Sequence, residues 1–511
     1  MGQQPHEVLV HHLIPDTTGI GRTSFLLGLA LLIYAVFLIR KRNDRLSAFP
    51  GPRLAGWTRL HSVAAVLTGR EHEILLEAHE KYGPIVRWSP NTLLISDPSA
   101  LPKIYHLRAN KTPHYNHSPG DYRGMVEEND WKEHRRKRHR IDPPFSPKSV
   151  QDDETIIQGF VTNWIAALKE RYTGENSQVF DFSDWGNFLI LDIVTKRFFG
   201  AEMGFIAHGD HQGLLADTRA NGPVIHALAR LPKLKTFLLK SFGRFLIPTA
   251  GDGSGLGNVL ELRDELLGER LKKGDRSSDV GLDRILFDPA NTGMELEELK
   301  EDLLFVILGA ADTTGHALRC LVRNLLQNPP SLARLRKEID EAAIAAIDMN
   351  NISFSQIKAN IPYLASCIRE SLRRDPPIVS YLPRWVDSTD DGGGGGIELC
   401  GQFIPAGVEV ACSPYVLSRN KDLYGDDVHD FRPERYSEAS NEWVAKAVRY
   451  DFTFGYGPRH CIGQNLSHFV TCKAIVQLLH HFDAELVEAG AGKAFLNWNY
   501  QGLMVRLKER V

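Results

Sequence analysis

Cysteine is scarce in this chain. Six cysteines (Cys320, Cys367, Cys400, Cys412, Cys461 and Cys472) are spread over 511 residues, with no CxxC pair among them. That usage argues against a disulfide-stapled secreted domain and reads as reduced thiols in a cytosol-facing body. An excess of one charge sign is also missing: 60 basic residues against 63 acidic ones give a formal net charge of -3. Nothing global therefore draws the chain to nucleic acid, and partners must be sought in local patches. Internal repeats are absent, and low complexity is confined to DDGGGGG at 390–396, which reads as a flexible surface loop. No GxGxxG spacing or following helix accompanies those glycines, which argues against a phosphate cradle. Strand-like runs are few: 85–89, 92–96, and the turn-rich GQFIPAGVEV at 401–410, which reads as a hairpin.

Long uncharged runs are rare too, and the clearest stands near the N-terminus. FLLGLALLIYAVFLI (25–39) is extended by Thr23 and Ser24 to 17 residues, with Arg22 before it and Arg40, Lys41, Arg42 and Arg45 after it. Such a run is at the short end of what spans a bilayer, and the basic cluster behind it places the downstream chain in the cytosol. A cleavable signal peptide wants its charge before the apolar run and small residues after it. A buried core helix is the other alternative, and the RKRNDR flank argues against it. The reading adopted is an uncleaved anchor. Residues 1–22 then form a short lumenal N-terminus and 23–39 a transmembrane helix. Residues 40–53 make a basic, proline-rich hinge ending in FPGP, and 54–511 a single body. Length alone allows several domains, but one large enzyme domain fits as well.

Helical patterns dominate that body, so the expected fold class is mainly α with a minor β-sheet region. The clearest pattern runs over Leu296–Gln327 and stops at Pro329-Pro330. Its centre, LLFVILGAA, is apolar all round and argues for burial. Within it, Asp312 and Thr313 set an acid beside an alcohol. An unpartnered buried acid costs several kcal/mol, so it demands a reason. A threonine there can bond back to a carbonyl one turn earlier and kink the helix, which by itself would be a sufficient structural account.

FGYGPRHCIG (454–463) carries the strongest chemical signal. A cysteine sits in a glycine-bracketed loop, and helical periodicity follows it. A thiolate at a helix N-terminus is stabilised by free backbone N–H groups. Gly457 and Gly463 remove side chains where the backbone must approach something flat or turn at positive φ. Arg459 adds a cation and Phe454 an aromatic wall. A lone cysteine is more often a small buried hydrophobe. A Cys/His nucleophile is a second alternative, but His460 is a sequence neighbour that points away, and no third group orients it.

The pattern F-x-x-G-x-R-x-C-x-G resembles the haem-binding loop of the cytochrome P-450 superfamily at each fixed position. The resemblance extends over the body, from about residue 50 onward, with further motifs in the right order. It implies the cytochrome P-450 fold, haem b as cofactor and Cys461 as the axial ligand of its iron, with Phe454, Gly457, Arg459 and Gly463 around it. It implies that Gly309 to Thr314 is the oxygen-binding groove, with Thr313 hydrogen-bonding dioxygen and Asp312 relaying protons. The first pair there is Gly309-Ala310, where the family has Ala-Gly or Gly-Gly. Glu370 and Arg373 share a helix face at i and i+3. Such a pair is ordinarily a weak surface bridge, but the resemblance makes it a buried structural triad with Arg435. Trp131 and Arg135, four apart in WKEHRRKRHR, would contact one haem propionate, and Arg384 in YLPRW another. The other cations of that run, Lys132, Arg136, Lys137, Arg138 and Arg140, are a solvated face, a mimic of a localisation signal or, in the reading adopted given the anchor, a docking surface for an acidic reductase domain.

By the same resemblance the chain is expected to be a monooxygenase using dioxygen and NADPH, the electrons arriving through an NADPH-cytochrome reductase. It would be a single-pass protein of the endoplasmic reticulum membrane with its body in the cytosol. The segment after the anchor looks like fungal microsomal members, which makes a lipophilic secondary metabolite (a terpenoid, polyketide or alkaloid) the expected substrate and hydroxylation the expected reaction. Segments 111–125, 205–247, 305–313 and 378–382 are expected to line its pocket. A haem-thiolate isomerase or dehydratase, a xenobiotic-detoxifying monooxygenase and a non-catalytic haem sensor are the alternatives.

Overall fold

The computed structural model describes residues 44–116, 122–241, 247–273, 280–288, 291, 293–345, 347–387 and 395–510. The expected membrane helix at 23–39 lies outside them, as do parts of the expected pocket segments 111–125 and 205–247. The chain divides between Pro50 and Gly51 into two units, and the second carries the elements described below.

Helices dominate, as expected. Those that position the site are α1 (Glu71–Tyr82), α2 (Trp131–Ile141), α3 (Trp185–Phe199), α4 (Leu214–Ala229), α5 (Leu296–Gln327), α6 (Pro362–Arg374) and α7 (Gln464–His481). The strands are β1 (Ile85–Ser89), β2 (Thr92–Ile95), β3 (Phe180–Asp181), β4 (Arg384–Trp385), β5 (Gly396–Leu399), β6 (Gln402–Pro405), β7 (Glu409–Ala411), β8 (Phe482–Glu488), β9 (Ala491–Ala494), β10 (Trp498–Gln501) and β11 (Met504–Glu509).

α5 is the axis of the body. Its 32 residues extend about 48 Å at 1.5 Å per residue. Glu297 and Glu298 in its first turn suit the positive end of the helix dipole. It ends at Asn328, whose φ of -126° and ψ of 77° are the extended backbone a following proline imposes. Among the described residues it is the one helix long and apolar enough to cross a membrane, but it is a core element, packed on α3, α6 and α7. The crossing with α3 is close because two glycines meet there. A Cβ on Gly186 would lie 2.8 Å from Gly315 O, and one on Gly315 would lie 2.4 Å from Asn187 Oδ1 and 2.7 Å from its backbone N. Around that crossing, Leu189, Ile193, Leu303, Ile307, Leu318, Leu321, Phe469 and Ile475 form the main core.

The largest sheet has the order β1-β2-β7-β4. The two expected strands β1 and β2 pair as a hairpin, with Ile85 opposite Ile95. β2 then pairs in parallel with β7, Thr92 opposite Glu409. The stretch 401–410 is not the hairpin its turn residues suggested. Its first half, β6, closes on β5 through a turn at Cys400 and Gly401 (φ 50° and 72°), and its second half, β7, joins the other sheet. The Ala406-Gly407 turn redirects the chain between the two, so one apparent element serves two sheets. A three-stranded sheet, β3-β11-β8, and the hairpin β9-β10 complete the β structure.

One buried ion pair fixes the end of α4. Arg230 Nη2 donates to Glu71 Oε1 and Oε2 at 2.9 and 2.6 Å and to Ser380 Oγ at 2.6 Å, and the guanidinium lies 4.5 Å from the Tyr381 ring centre.

Candidate functional site

α7 starts directly after Gly463, so the cysteine loop ends at a helix N-terminus. The loop closes on itself where Cys461 N donates to Phe454 O at 2.7 Å. Gly457 has a φ of 66°, and a Cβ there would sit 2.1 Å from Tyr105 O, so no larger residue fits without moving that carbonyl at the end of the Leu101–Ile104 helix. Gly463 does not turn at positive φ: its φ is -81°, and an added Cβ would touch Cys461 Sγ at 3.8 Å. Gly455, at a φ of 74°, is the second left-handed position of the loop.

Cys461 is deep in the body, yet its side chain is open, because a cavity of about 690 Å³ reaches it. Burial pushes the thiol up from its ordinary pKa, while the backbone N–H groups of Gly463 and Gln464 and the charge of Arg138 pull it down. In the protein alone burial outweighs the helix terminus; an adjoining cation would be needed to hold the thiolate.

Trp131, Arg135, Arg459 and Cys461 all line this cavity. The residue types along α2 explain why. Positions 131, 134, 135 and 138 face the cavity, His134 from a buried position, while Lys137, Arg140 and Ile141 are buried on the other side. That face changes the expected docking surface. Lys137 is buried against Glu128 and Glu298 at 2.8 and 2.9 Å, and Arg140 against Glu298 and Asp302 at 2.7 and 2.8 Å. Arg136 pairs with Glu133 and Glu298 at 2.9 and 3.0 Å. Arg138 Nη1 donates to the carbonyls of Pro458 and His460 at 3.2 and 2.6 Å, clipping the cysteine loop. Four of the five cations read as outward-facing are therefore spent on carboxylates or carbonyls of the same chain. Apart from Glu128 and Glu133, their partners lie 158 to 322 residues away in sequence, out of reach of a local pattern.

Beside the loop lies a group of buried cations. Arg459 donates to the carbonyls of Glu128 and Asn129 at 2.7 and 2.9 Å. Arg384 donates to Tyr115 Oη and Pro383 O at 2.7 and 2.9 Å, and its Nε has no partner. Lys111 donates to Val126 O at 2.5 Å. These hydrogen bonds go to neutral oxygens, and the attraction of Glu127, Glu128 and Asp130 offsets only part of the burial and mutual repulsion. Burial, then the charge of Arg384, brings the Arg459 guanidinium down to about 10. Burial with Arg384 and Arg459 holds Lys111 well below the ordinary lysine range. Burial and the same cations bring His134 down to about 2. A flat dianionic group with its carboxylates toward these cations and its metal toward Cys461 would relieve this repulsion. Haem fits that description. His134 escaped the sequence reading, Lys111 and Tyr115 entered it only as part of the pocket segment 111–125, and Arg138 only as a docking cation; the helical period of α2 could have placed His134 and Arg138.

The other expected residues lie apart from this cavity wall. Thr313 Oγ1 bonds back to Gly309 O at 2.7 Å, the anticipated local bond. Gly309 is exposed at mid-helix, and a Cβ there would meet nothing within 4 Å, so α5 borders open space at this turn. Asp312 Oδ2 accepts from Asn497 Nδ2 at 2.7 Å; burial raises its pKa, against the lowering influence of Arg319 and that amide. Glu370, Arg373 and Arg435 do form a buried cluster. Arg373 grips both carboxylate oxygens at 2.8 and 2.9 Å, and Arg435 Nε lies 3.4 Å from Oε1. Arg373 also donates to the carbonyls of Ser418, Val428 and Asp430, which knits together the segment preceding the cysteine loop.

Comparison with known sequences agrees with this geometry. The chain is 29% identical over 483 residues to cytochrome P-450 monooxygenase mpaDE' of Penicillium brevicompactum, covering 91% of this chain but 55% of that protein. It therefore spans little more than half the length of that relative. It is 27% identical to cytochrome P-450 monooxygenase astJ of Aspergillus oryzae, over 94% of this chain and 95% of the relative. With cytochrome P-450 monooxygenase cicH of Emericella nidulans it shares 28% identity over 90% and 92% of the two chains. The family pattern of cytochrome P-450 matches residues 50–510, so the chain belongs to the cytochrome P-450 family.

Proposed function

We propose that this protein is a haem-thiolate monooxygenase that hydroxylates a lipophilic small molecule, with a fungal secondary metabolite (terpenoid, polyketide or alkaloid) as the substrate class. The observation that carries the reading is the open thiol of Cys461 in one cavity with Trp131, Arg135 and Arg459, beside mutually repelling buried cations whose hydrogen bonds go to neutral oxygens. Bound haem supplies the activation of dioxygen, and a thiolate ligand favours O–O cleavage. The overall change is insertion of one oxygen atom into a C–H bond. The other atom leaves as water, with two electrons from NADPH through a reductase and two protons.

The chain's own residues do the rest. Cys461 holds the metal, while Arg138 and the Cys461–Phe454 backbone bond keep the loop in shape. Trp131, Arg135, Arg384 and Arg459 orient the carboxylates of the cofactor. Asp312 exchanges protons with solvent, and the Thr313 hydroxyl passes them on, exchanging its bond to Gly309 O for one to the proton acceptor. The run at 23–39 anchors the body to the endoplasmic reticulum membrane and suits substrates that partition into lipid. Co-expression with a reductase and untargeted product analysis tests the reading. Oxygenated products that depend on NADPH support it. Turnover without reductase would favour an isomerase or dehydratase, and binding without turnover a sensor. A reduced, haem-loaded protein that gives no red-shifted thiolate band with carbon monoxide overturns it.

A further inference from the structure

Asp312 is half-buried on α5, and the hydrogen bond to its carboxyl comes from a neutral amide, Asn497 Nδ2 at 2.7 Å. The charged groups facing it are committed elsewhere. Arg319, further along the same helix, donates to Ser183 O at 2.8 Å and faces His316 Nδ1 at 3.0 Å. Arg219 of α4 pairs with Asp184 at the start of α3. His316, one turn from Asp312, is kept neutral by burial.

Asn497 is itself held firmly. It lies in the β9-β10 turn, where Phe495 N donates to its carbonyl at 3.1 Å and its backbone bridges Ile378. Its neighbours reinforce the anchorage. Val379 N donates to Leu496 O at 3.0 Å, and the Trp498 indole donates to Pro376 O at 3.0 Å while stacking on His316. Residues 312 and 316 share a helix face, so two consecutive hairpin residues, Asn497 and Trp498, lock onto successive turns of α5.

We propose that Asn497 is a positioning residue for proton delivery: its amide fixes the Asp312 carboxyl beside Thr313 and ties it to the 376–379 segment. This inference rests on the monooxygenase reading. A single neutral donor is suited to the task. It favours the ionised carboxylate enough to offset part of the burial, whereas a directly bonded cation would keep the acid permanently ionised. Because the same turn grips residues 376–379, displacement of that segment also moves the donor on which Asp312 depends.

The test uses the full haem-loaded chain with reductase. Asn497→Leu removes the donor, and Asn497→Asp replaces it with a second acid of the same size. The expected result is an acid limb of product formation shifted up by about one pH unit in Asn497→Leu, further in Asn497→Asp, with peroxide release raised several-fold in both. A second readout needs no turnover: the pH-dependent part of the Asn497→Leu loss in thermal stability should vanish in an Asp312→Asn background. An unmoved limb, or a pH-dependent loss that persists without the Asp312 carboxylate, overturns the proposal. If Asn497→Leu does not retain haem, the isosteric Asn497→Asp carries the same comparison. Failure of the monooxygenase reading would look different, with no product from any variant, while the unfolding comparison would still report the Asp312–Asn497 coupling.

Discussion

At the scale of single residues, the site depends on groups whose roles differ in how visible they are. Cys461, Arg459 and Gly457 stand in one short stretch and were legible because the loop's chemistry is local. Arg138 was not, since its task is set by the carbonyls of Pro458 and His460, far along the chain. Charge-assisted bonds of this kind are worth about 1.5–3 kcal/mol. Arg138→Ala is therefore expected to loosen the loop and lower haem retention, read as the ratio of haem to protein absorbance after purification. Retention equal to wild type would remove Arg138 from the loop's support. Thr313→Ala is expected to leave haem binding intact and divert turnover to peroxide, measured against NADPH consumed; unchanged coupling would exclude the hydroxyl from proton transfer.

At the scale of elements, α5 was readable to its ends because its bounds are set by nearby residues, an acidic first turn and a proline pair. What it packs against was not readable. Gly315 looks like a weak point in a helix, and only the approach of Asn187 shows why a side chain is excluded there. Because the backbone of Asn187 is also in the way, repacking cannot be confined to side chains. Gly315→Ala is expected to cost about 1–3 kcal/mol by overpacking, seen as a lower midpoint of thermal unfolding; a midpoint matching wild type would mean that the two helices separate freely. The 401–410 stretch shows the converse case. Its turn residues correctly mark bends, but pairing partners belong to the tertiary fold, and β7 finds its partner in β2.

For the molecule as a whole, buried histidines tie stability to acidity. His72, packed edge-on against Tyr415 and Trp498, and His79, bonded to Gly83 O, are each brought by burial from 6.5 to about 4. A depressed folded-state value means that stability is fully present above pH 6.5. It is lost as pH falls toward 4, where only the unfolded chain takes up the proton. Each contributes up to about 3 kcal/mol. Chemical unfolding of the haem-loaded protein at pH 7.5 and 5 should show this loss, and His72→Phe should lose less; equal losses would clear His72. The mostly helical character was readable because helices are local, whereas the sheet partners were not. Their arrangement has a consequence for biosynthesis. β2 awaits β7, more than 300 residues later, and β11 is the central strand between β3 and β8. On the ribosome, the first hairpin must persist with an unpaired edge while most of the polypeptide is still being translated, so slow elongation prolongs exposure to chaperones and to misassembly.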